Sequence, residues 1–181
     1  NSQPDQLPTR WVINFSDRSL ELAKKYEDCM QIVREHVKPE RDKKANGNAS
    51  ARDLARRWWQ FARPTTDLYE TIRSMDRVLT IALTSKTAAF TFMPTDIVFS
   101  HATGVFAFEH SEFFALLQSS FHIEWAWKFG SSMKGDLRYT PGDVFQTFPF
   151  PTDLAPLEDI GERYHEFRRE LMLANDEGLT A

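Results

Sequence analysis

Five histidines and one cysteine are the side chains of this 181-residue chain best suited to act as nucleophile, base or metal ligand. They are scattered: Cys29, His36, His101, His110, His122 and His165. No two histidines stand at the i, i+4 spacing that sets paired metal ligands on one helix face. His122-Ile123-Glu124 matches the first half of a zinc deaminase signature, but the Pro-Cys-x-x-Cys that must follow is missing, and the match is coincidental. Cys29 and His36 lie two helical turns apart with no third partner to orient the base. There is no Gly-x-Ser-x-Gly elbow, no phosphate-cradling glycine loop and no dinucleotide fingerprint. Seven glycines in the whole chain argue against a cofactor pocket built from backbone. Carboxylates are plentiful but form no distinctive pair. Catalysis by this chain, and a metal or cofactor of its own, are therefore not expected.

What remains is charge. Residues 34–63 hold nine Lys and Arg (Arg34, Lys38, Arg41, Lys43, Lys44, Arg52, Arg56, Arg57 and Arg63) against four acids. Residues 152–181 reverse this, with eight acids against Arg163, Arg168 and Arg169. The net charge of −4 thus hides a basic stretch and an acidic tail. Attraction to phosphate is local, because exposed charges are screened beyond a Debye length of about 8–10 Å. Net acidity is therefore a poor guide to a nucleic-acid partner. A hydrophobic content of 41% and an aromatic content of 13% exclude a disordered chain. The lone Cys29 excludes an internal disulfide framework and fits a reducing compartment. No apolar run approaches the ~18 residues of a membrane span. The Asn1 start and an end inside Glu177–Ala181 suggest a piece of a larger protein.

The elements that would position any site follow from periodicity. Trp11–Phe15 reads as a short strand, followed by helices over Ser19–Tyr26 and Glu27–Val37, the second stopping before Pro39. Lys43–Ser50 reads as a flexible loop, and Arg52–Phe61 carries the tandem Trp58-Trp59. Thr65 or Thr66 caps a helix over Asp67–Met75. Arg77–Leu83, Thr87–Met93, Asp96–Ser100 and Gly104–Phe108 are short β-branched or aromatic runs. They leave no room for crossover helices, so the sheet is expected to be mainly antiparallel. Ser111–Phe129 is apolar on nearly all sides and predicts a buried helix. A loop over Ser131–Pro141 and a strand over Val144–Phe148 follow. The last element is a long helix over Asp153–Asn175, in which Ile160, Tyr164, Phe167, Leu171 and Ala174 recur at 4-3-4-3 spacing and predict a packing seam. Gly161 is expected to cost this helix about 1 kcal/mol relative to Ala. The fold class is α+β.

Three segments lose their generic look when read together. The first is Val37-Lys38-Pro39-Glu40-Arg41, followed by Arg57-Trp58-Trp59-Gln60-Phe61-Ala62-Arg63-Pro64. The second is Phe92-Met93-Pro94-Thr95-Asp96-Ile97-Val98-Phe99-Ser100. The third is Gly130-Ser131-Ser132-Met133-Lys134-Gly135-Asp136-Leu137-Arg138-Tyr139-Thr140, with Phe148-Pro149-Phe150-Pro151 after it. In this order and spacing they resemble the target recognition domain of MmeI-like (type IIL) restriction–modification enzymes and related adenine-N6 DNA methyltransferases. Trp11–Phe15 resembles the linker after the family's methyltransferase domain, and the resemblance extends from about Arg10 to Thr180. It implies an α+β body similar to the recognition domains of type I specificity subunits, with a C-terminal packing helix. With the boundaries read at the Lys43–Ser50 loop and after Pro149-Phe150-Pro151, the chain divides into an N-terminal adapter (residues 1–45), a DNA target recognition domain (46–152) and the packing helix (153–181). The family's methyltransferase and endonuclease motifs do not occur here. The implied parent uses S-adenosylmethionine, and Mg if it also cuts DNA, in domains outside this chain. The implied partners are double-stranded DNA and the parent's methyltransferase domain, in a bacterial cytoplasm.

The resemblance also implies site residues. Lys134 and Asp136 align with the family's paired base-reading positions, Arg138 with a further one, and Ala102 lies near a second reading position between two predicted strands. The chemistry fits. A lysine ammonium donates to O6 and N7 of guanine, and an aspartate accepts from N4 of cytosine, so the pair can interrogate both halves of one G·C pair. On a regular strand, residues two apart share a face. The bland alternative is an exposed Lys134–Asp136 ion pair, worth about 0–1 kcal/mol. Arg56, Arg57, Arg63 and Lys86 are candidates for phosphate contacts, which position without specifying. Trp58, Trp59, Trp125 and Trp127 are expected in cores rather than as stacking platforms. The alternative function is a protein-interaction or scaffold domain in which the acidic helix docks on a partner and the 131–141 loop is only a connection.

Overall fold

The computed structural model describes residues 3–179. The outer limits of the expected adapter and packing helix, residues 1–2 and 180–181, lie outside the described residues. The chain forms two compact units, one of residues 10–71 and one that combines the first nine residues with residues 72 onward.

The first unit is helical. It contains α1 (Leu20–Ala23), α2 (Glu27–His36), α3 (Lys38–Lys44), α4 (Ala49–Arg56) and α5 (Thr66–Thr71). Its core gathers Phe15, Ala23, Met30, Val33 and Trp58, with Ile13, Leu20, Cys29 and Trp59 packed against it. Trp58 is a core residue as expected, and the Trp59 indole N–H donates to the Arg18 carbonyl at 2.8 Å. The expected strand at Trp11–Phe15 does not form. The segment is irregular, buries Phe15 and leaves Trp11 fully exposed. β-branched residues favour extended backbone, but a strand also needs a paired neighbour, and this unit offers helices. Helix α2 stops before Pro39 as expected, and α3 begins at once. Pro39 sits in the first turn of α3, where its missing N–H removes no bond. The loop expected over Lys43–Ser50 shrinks accordingly, and Asn48 caps α4 by accepting from the Ala51 N–H at 2.9 Å.

The second unit is an α+β body. Strands β1 (Arg77–Ala82), β2 (Thr84–Ser85), β3 (Phe90–Pro94) and β4 (Thr103–Phe106) come first. Helices α6 (Ser111–Leu117) and α7 (Ser120–Phe129) follow, then strands β5 (Ser131–Met133) and β6 (Asp136–Arg138), and finally α8 (Glu158–Asn175) after a single 3-10 turn at Ala155–Leu157. All pairings are antiparallel, in two three-stranded sheets ordered β3-β1-β4 and β2-β6-β5. The core joins Leu79, Ile81, Phe90 and Phe106 of the first sheet to Phe114 and Leu117 of α6, Ala126 of α7, and Leu137, Tyr139 and Val144.

Three expectations fail here for physical reasons. Asp96–Ser100 is irregular, although it is β-rich, because β4 takes the place beside β1. The helix expected over Ser111–Phe129 is two helices. Gln118 closes α6, its amide reaches strand β3, and Ser119 opens α7 by accepting from the His122 N–H at 3.3 Å. Only α6 is the buried helix. On α7, Phe121 is 82% exposed, and Trp127 and Phe129 are exposed as well. Val144–Phe148 is a pair of helical turns, with the Val144 N–H donating to Thr140 and the Phe145 N–H to Pro141.

Helix α8 packs along α6, but mostly not through its expected seam. Tyr164 of that seam stacks on Phe114 of α6 while staying partly exposed. Ile160, Phe167 and Leu171 stay exposed, while Gly161, His165, Arg168 and Met172 face the body. Polar bonds hold this face. The Ser111 hydroxyl donates to the Glu162 carboxylate, Arg77 bridges Ser111 and Glu162, and the Glu112 N–H donates to Glu158 at 2.7 Å. Ser111's hydroxyl and then Arg77's charge hold the Glu162 carboxyl below its ordinary range. Arg168 donates to the Phe90 carbonyl at 2.6 Å, and Gln118 accepts from the Phe90 N–H at 2.9 Å. The free edge of β3 is thereby satisfied at Phe90.

Gly161 is the point of closest approach. A Cβ there would lie 2.1 Å from the Ser111 carbonyl oxygen. Helix propensity says that Gly161→Ala stabilises by about 1 kcal/mol. The contact reverses the sign, and destabilisation by about 1–3 kcal/mol is expected. Urea unfolding of the two proteins decides between them, and a more stable alanine variant would refute this packing.

Candidate nucleic-acid interface

The stretch read as a loop over Ser131–Pro141 begins with a tight β-hairpin. β5 and β6 pair Ser131 with Arg138, Ser132 with Leu137, and Met133 with Asp136. Two residues, Lys134 and Gly135, make the turn, with φ of 55° and 89°. Two successive left-handed residues are the mark of a type I′ hairpin turn, which suits the twist of its strands. Lys134 therefore does not share a strand face with Asp136. It projects from the tip of the hairpin while Asp136 starts the return strand. Gly135 suits its position. A lysine in the left-handed region costs roughly 1–2 kcal/mol, and Asn or Asp is the usual first turn residue.

The inward residues of β6 determine which residues face out. Leu137 and Tyr139 are both 2% exposed and lie in the core. Alternation then sends Asp136 and Arg138 to the opposite face. Cross-strand partners join them there. Thr84, Arg138 and Ser131 form one row across all three strands, and Asp136 and Met133 form the next. Thr84, Ser131, Met133, Lys134 and Arg138 are exposed and Asp136 is half-buried. The ion pairs among the described residues leave out Lys134, Asp136 and Arg138, so the Lys134–Asp136 pair of the bland reading is not formed.

The face is anchored from beneath. The fully buried His122 ring places Nδ1 2.9 Å from the Leu117 carbonyl and Nε2 3.1 Å from the Tyr139 hydroxyl. A carbonyl only accepts, so Nδ1 carries the proton and Nε2 accepts from the tyrosine. Phe90 and Phe148 pack edge-on against the imidazole. Burial pulls the His122 pKa down to about 4 and pushes the Tyr139 hydroxyl up. The histidine that carried half of a zinc signature is thus a core hydrogen-bond bridge that holds the end of β6.

Ala102 reaches the same region by another route. Leu83, between β1 and β2, donates its N–H to the Ala102 carbonyl at 2.8 Å and accepts from the Tyr139 N–H at 2.9 Å. One residue thus ties the turn before β4 to the end of β6, and Ala102 is exposed there. Lys86, just after β2, is exposed. Arg56, Arg57 and Arg63 belong to the helical unit. Arg57 is engaged: its guanidinium pairs with Asp53 at 2.7 Å and donates to the Phe61 and Ala62 carbonyls. Arg56 and Arg63 are exposed. Thr84, Ser131 and Met133 escape the sequence reading. The signal that could have found them is Asp136-Leu137-Arg138-Tyr139, polar and apolar in alternation, after the turn-forming Lys134-Gly135.

The fold and this face define a class: a small α+β body that presents one polar hairpin face, rich in hydrogen-bonding side chains, from a rigid core. The family comparison is specific. The MmeI target recognition domain model matches residues 6–152, and the chain belongs to that family of sequence-recognition modules of restriction–modification enzymes. Such a domain recognises and does not catalyse. No curated protein matches the chain, and no solved structure does. No helix among the described residues is long and apolar enough to cross a membrane.

The His122 environment carries a sign for pH. Its folded pKa lies below the ordinary value near 6.5, so the unfolded chain takes up the proton first. This contribution is complete above pH 6.5 and is lost as pH falls toward 4, by about 3 kcal/mol in all. The His122 ring resonance should stay neutral until near pH 4. Titration at 6.5 would contradict the buried bridge. Tyr139→Phe, which leaves Nε2 without a donor, is expected to cost about 1–3 kcal/mol at neutral pH.

Proposed function

We propose that the chain reads double-stranded DNA for a larger restriction–modification methyltransferase, using the outward face of β6 and the turn before it. The observation that carries this reading is the hairpin itself. Asp136 and Arg138 are directed outward by the burial of Leu137 and Tyr139, and Lys134 stands at a turn position that its residue type does not favour. Backbone strain at an exposed charged residue points to use of the side chain. A two-stranded ribbon fits the major groove, where the base edges are distinguishable. Lys134 would take guanine O6 and N7, Asp136 cytosine N4, and Arg138 a further guanine or a phosphate. Ala102, exposed in the turn before β4, would supply a second reading position, and Lys86, Arg56 and Arg63 would grip phosphates, with Arg57 the weakest candidate because its donors are engaged.

The parent is proposed as an S-adenosylmethionine-dependent adenine-N6 methyltransferase of the bacterial cytoplasm, with its catalytic and any Mg-dependent cutting machinery outside this chain. The division into adapter, recognition domain and packing helix is carried forward as a functional one. The exposed Ile160, Phe167 and Leu171 on α8 favour a protein partner as well as DNA, and we assign that stripe to the parent's methyltransferase domain. A scaffold role without DNA is the alternative.

Lys134→Ala and Asp136→Ala in the parent should change which base pair is preferred at one position of the methylated site, by about 1–3 kcal/mol of discrimination. Methylation mapped across a genome reads this, and an unchanged motif in both variants would sink the assignment. Lys134→Gly separates reading from folding. It suits the turn, so stability should hold or rise by about 1 kcal/mol while discrimination is lost. Lys86→Ala should instead weaken binding to all sequences alike and lower the salt slope by about one.

A further inference from the structure

Met133 is the one apolar side chain on the outward face of the β2-β6-β5 sheet. It is 49% exposed, at the last strand position before the turn, and it belongs to neither hydrophobic core. Its cross-strand partner is Asp136, and the row behind them, Thr84, Arg138 and Ser131, can hydrogen-bond throughout. Folding gains little from an apolar side chain held out at the tip of a polar hairpin. A thioether has no proton to donate and accepts weakly, so it cannot choose among bases by hydrogen bonding. The one apolar feature that distinguishes bases in the major groove is the C5 methyl of thymine.

We infer that Met133 is a specificity-determining residue that contacts a thymine methyl close to the base pair read by Asp136. The inference rests on the DNA-reading role proposed for the hairpin. Cross-strand partners sit roughly 4.5–5.5 Å apart between Cα atoms. Successive bases along a strand are about 3.4 Å apart. The thymine therefore lies one or two steps from the G·C pair of Asp136. The flexible, polarizable methionine side chain suits an edge contact of this kind.

The test uses the 181-residue chain and the duplex it selects from a randomised pool. Asp136→Ala first locates the G·C position, by the base whose selection it relaxes. An A·T pair is expected within two steps. Replacing its thymine with deoxyuridine removes only the methyl group, and should weaken binding of the unaltered chain about three- to tenfold, the scale of one buried methyl. Met133→Ala should bind thymine and uracil duplexes alike. Met133 is exposed, so the variant keeps its fold, and circular dichroism checks this. A duplex with no A·T pair in that window, or equal sensitivity to uracil in Met133→Ala, would overturn the Met133 contact and leave the Asp136 role standing. No sequence selected at all, or a motif unmoved by Asp136→Ala, would overturn the DNA-reading role and this inference with it.

Discussion

The buried hydrogen bond from Tyr139 to His122 is the constraint on which the candidate interface depends. It lies under the end of β6 and is closed on its other side by the Leu117 carbonyl. Both partners are buried among Phe90, Phe106 and Phe148, away from water that could replace the bond if the strand shifts. A one-residue slip of β6 would bring Asp136 and Arg138 inward and turn Leu137 and Tyr139 out. The register is therefore strongly specified, and with it the identity of the outward side chains. The two-residue turn completes the specification, because a hairpin loop of that length fixes which residues pair.

The same economy operates at the α6–α8 contact. A glycine that looks like a defect in a helix allows two backbones to approach until carboxylates of α8 reach the first turn of α6. Glu158 and Glu162 thereby satisfy the Glu112 N–H and the Ser111 hydroxyl, and Arg77 and Arg168 reach from one layer to the next. Charged groups, which the sequence presents as an acidic tail, serve here as caps and edge covers. Of the apolar residues expected in that role, Ile160, Phe167 and Leu171 are left on the outside. A recognition module built as part of a larger protein has reason to keep such a surface, since a bare apolar stripe on a stable helix is otherwise a liability for solubility.

Much of the site was legible as residue type and order. Lys134, Asp136 and Arg138 have the donors and acceptors that base edges require, and their family context was visible in three ordered segments. Their geometry was not. The stretch 131–141 has only three-residue strands, too short for periodicity to register, and Lys134-Gly135 is not among the strongest turn signals. Met133, Ser131 and Thr84 join the surface only through cross-strand register, which a sequence does not display. Ala102 and Tyr139, far apart in the chain, are linked through two backbone bonds of Leu83.

The sequence by itself determined the α+β class, the antiparallel pairing, the family and the chemical repertoire of the candidate residues, because these follow from local composition and ordered motifs. Tertiary structure alone decided which faces are buried. It left Ile160, Phe167 and Leu171 of the heptad-like seam of α8 in solvent, because the Gly161 groove offered a closer approach to α6. It split the apolar 111–129 run, because Gln118 was needed against the edge of β3. It placed Lys134 in the turn instead of on a strand, because burying Leu137 and Tyr139 together set the register. In each case a preference worth about a kilocalorie or less yielded to packing that spans many residues.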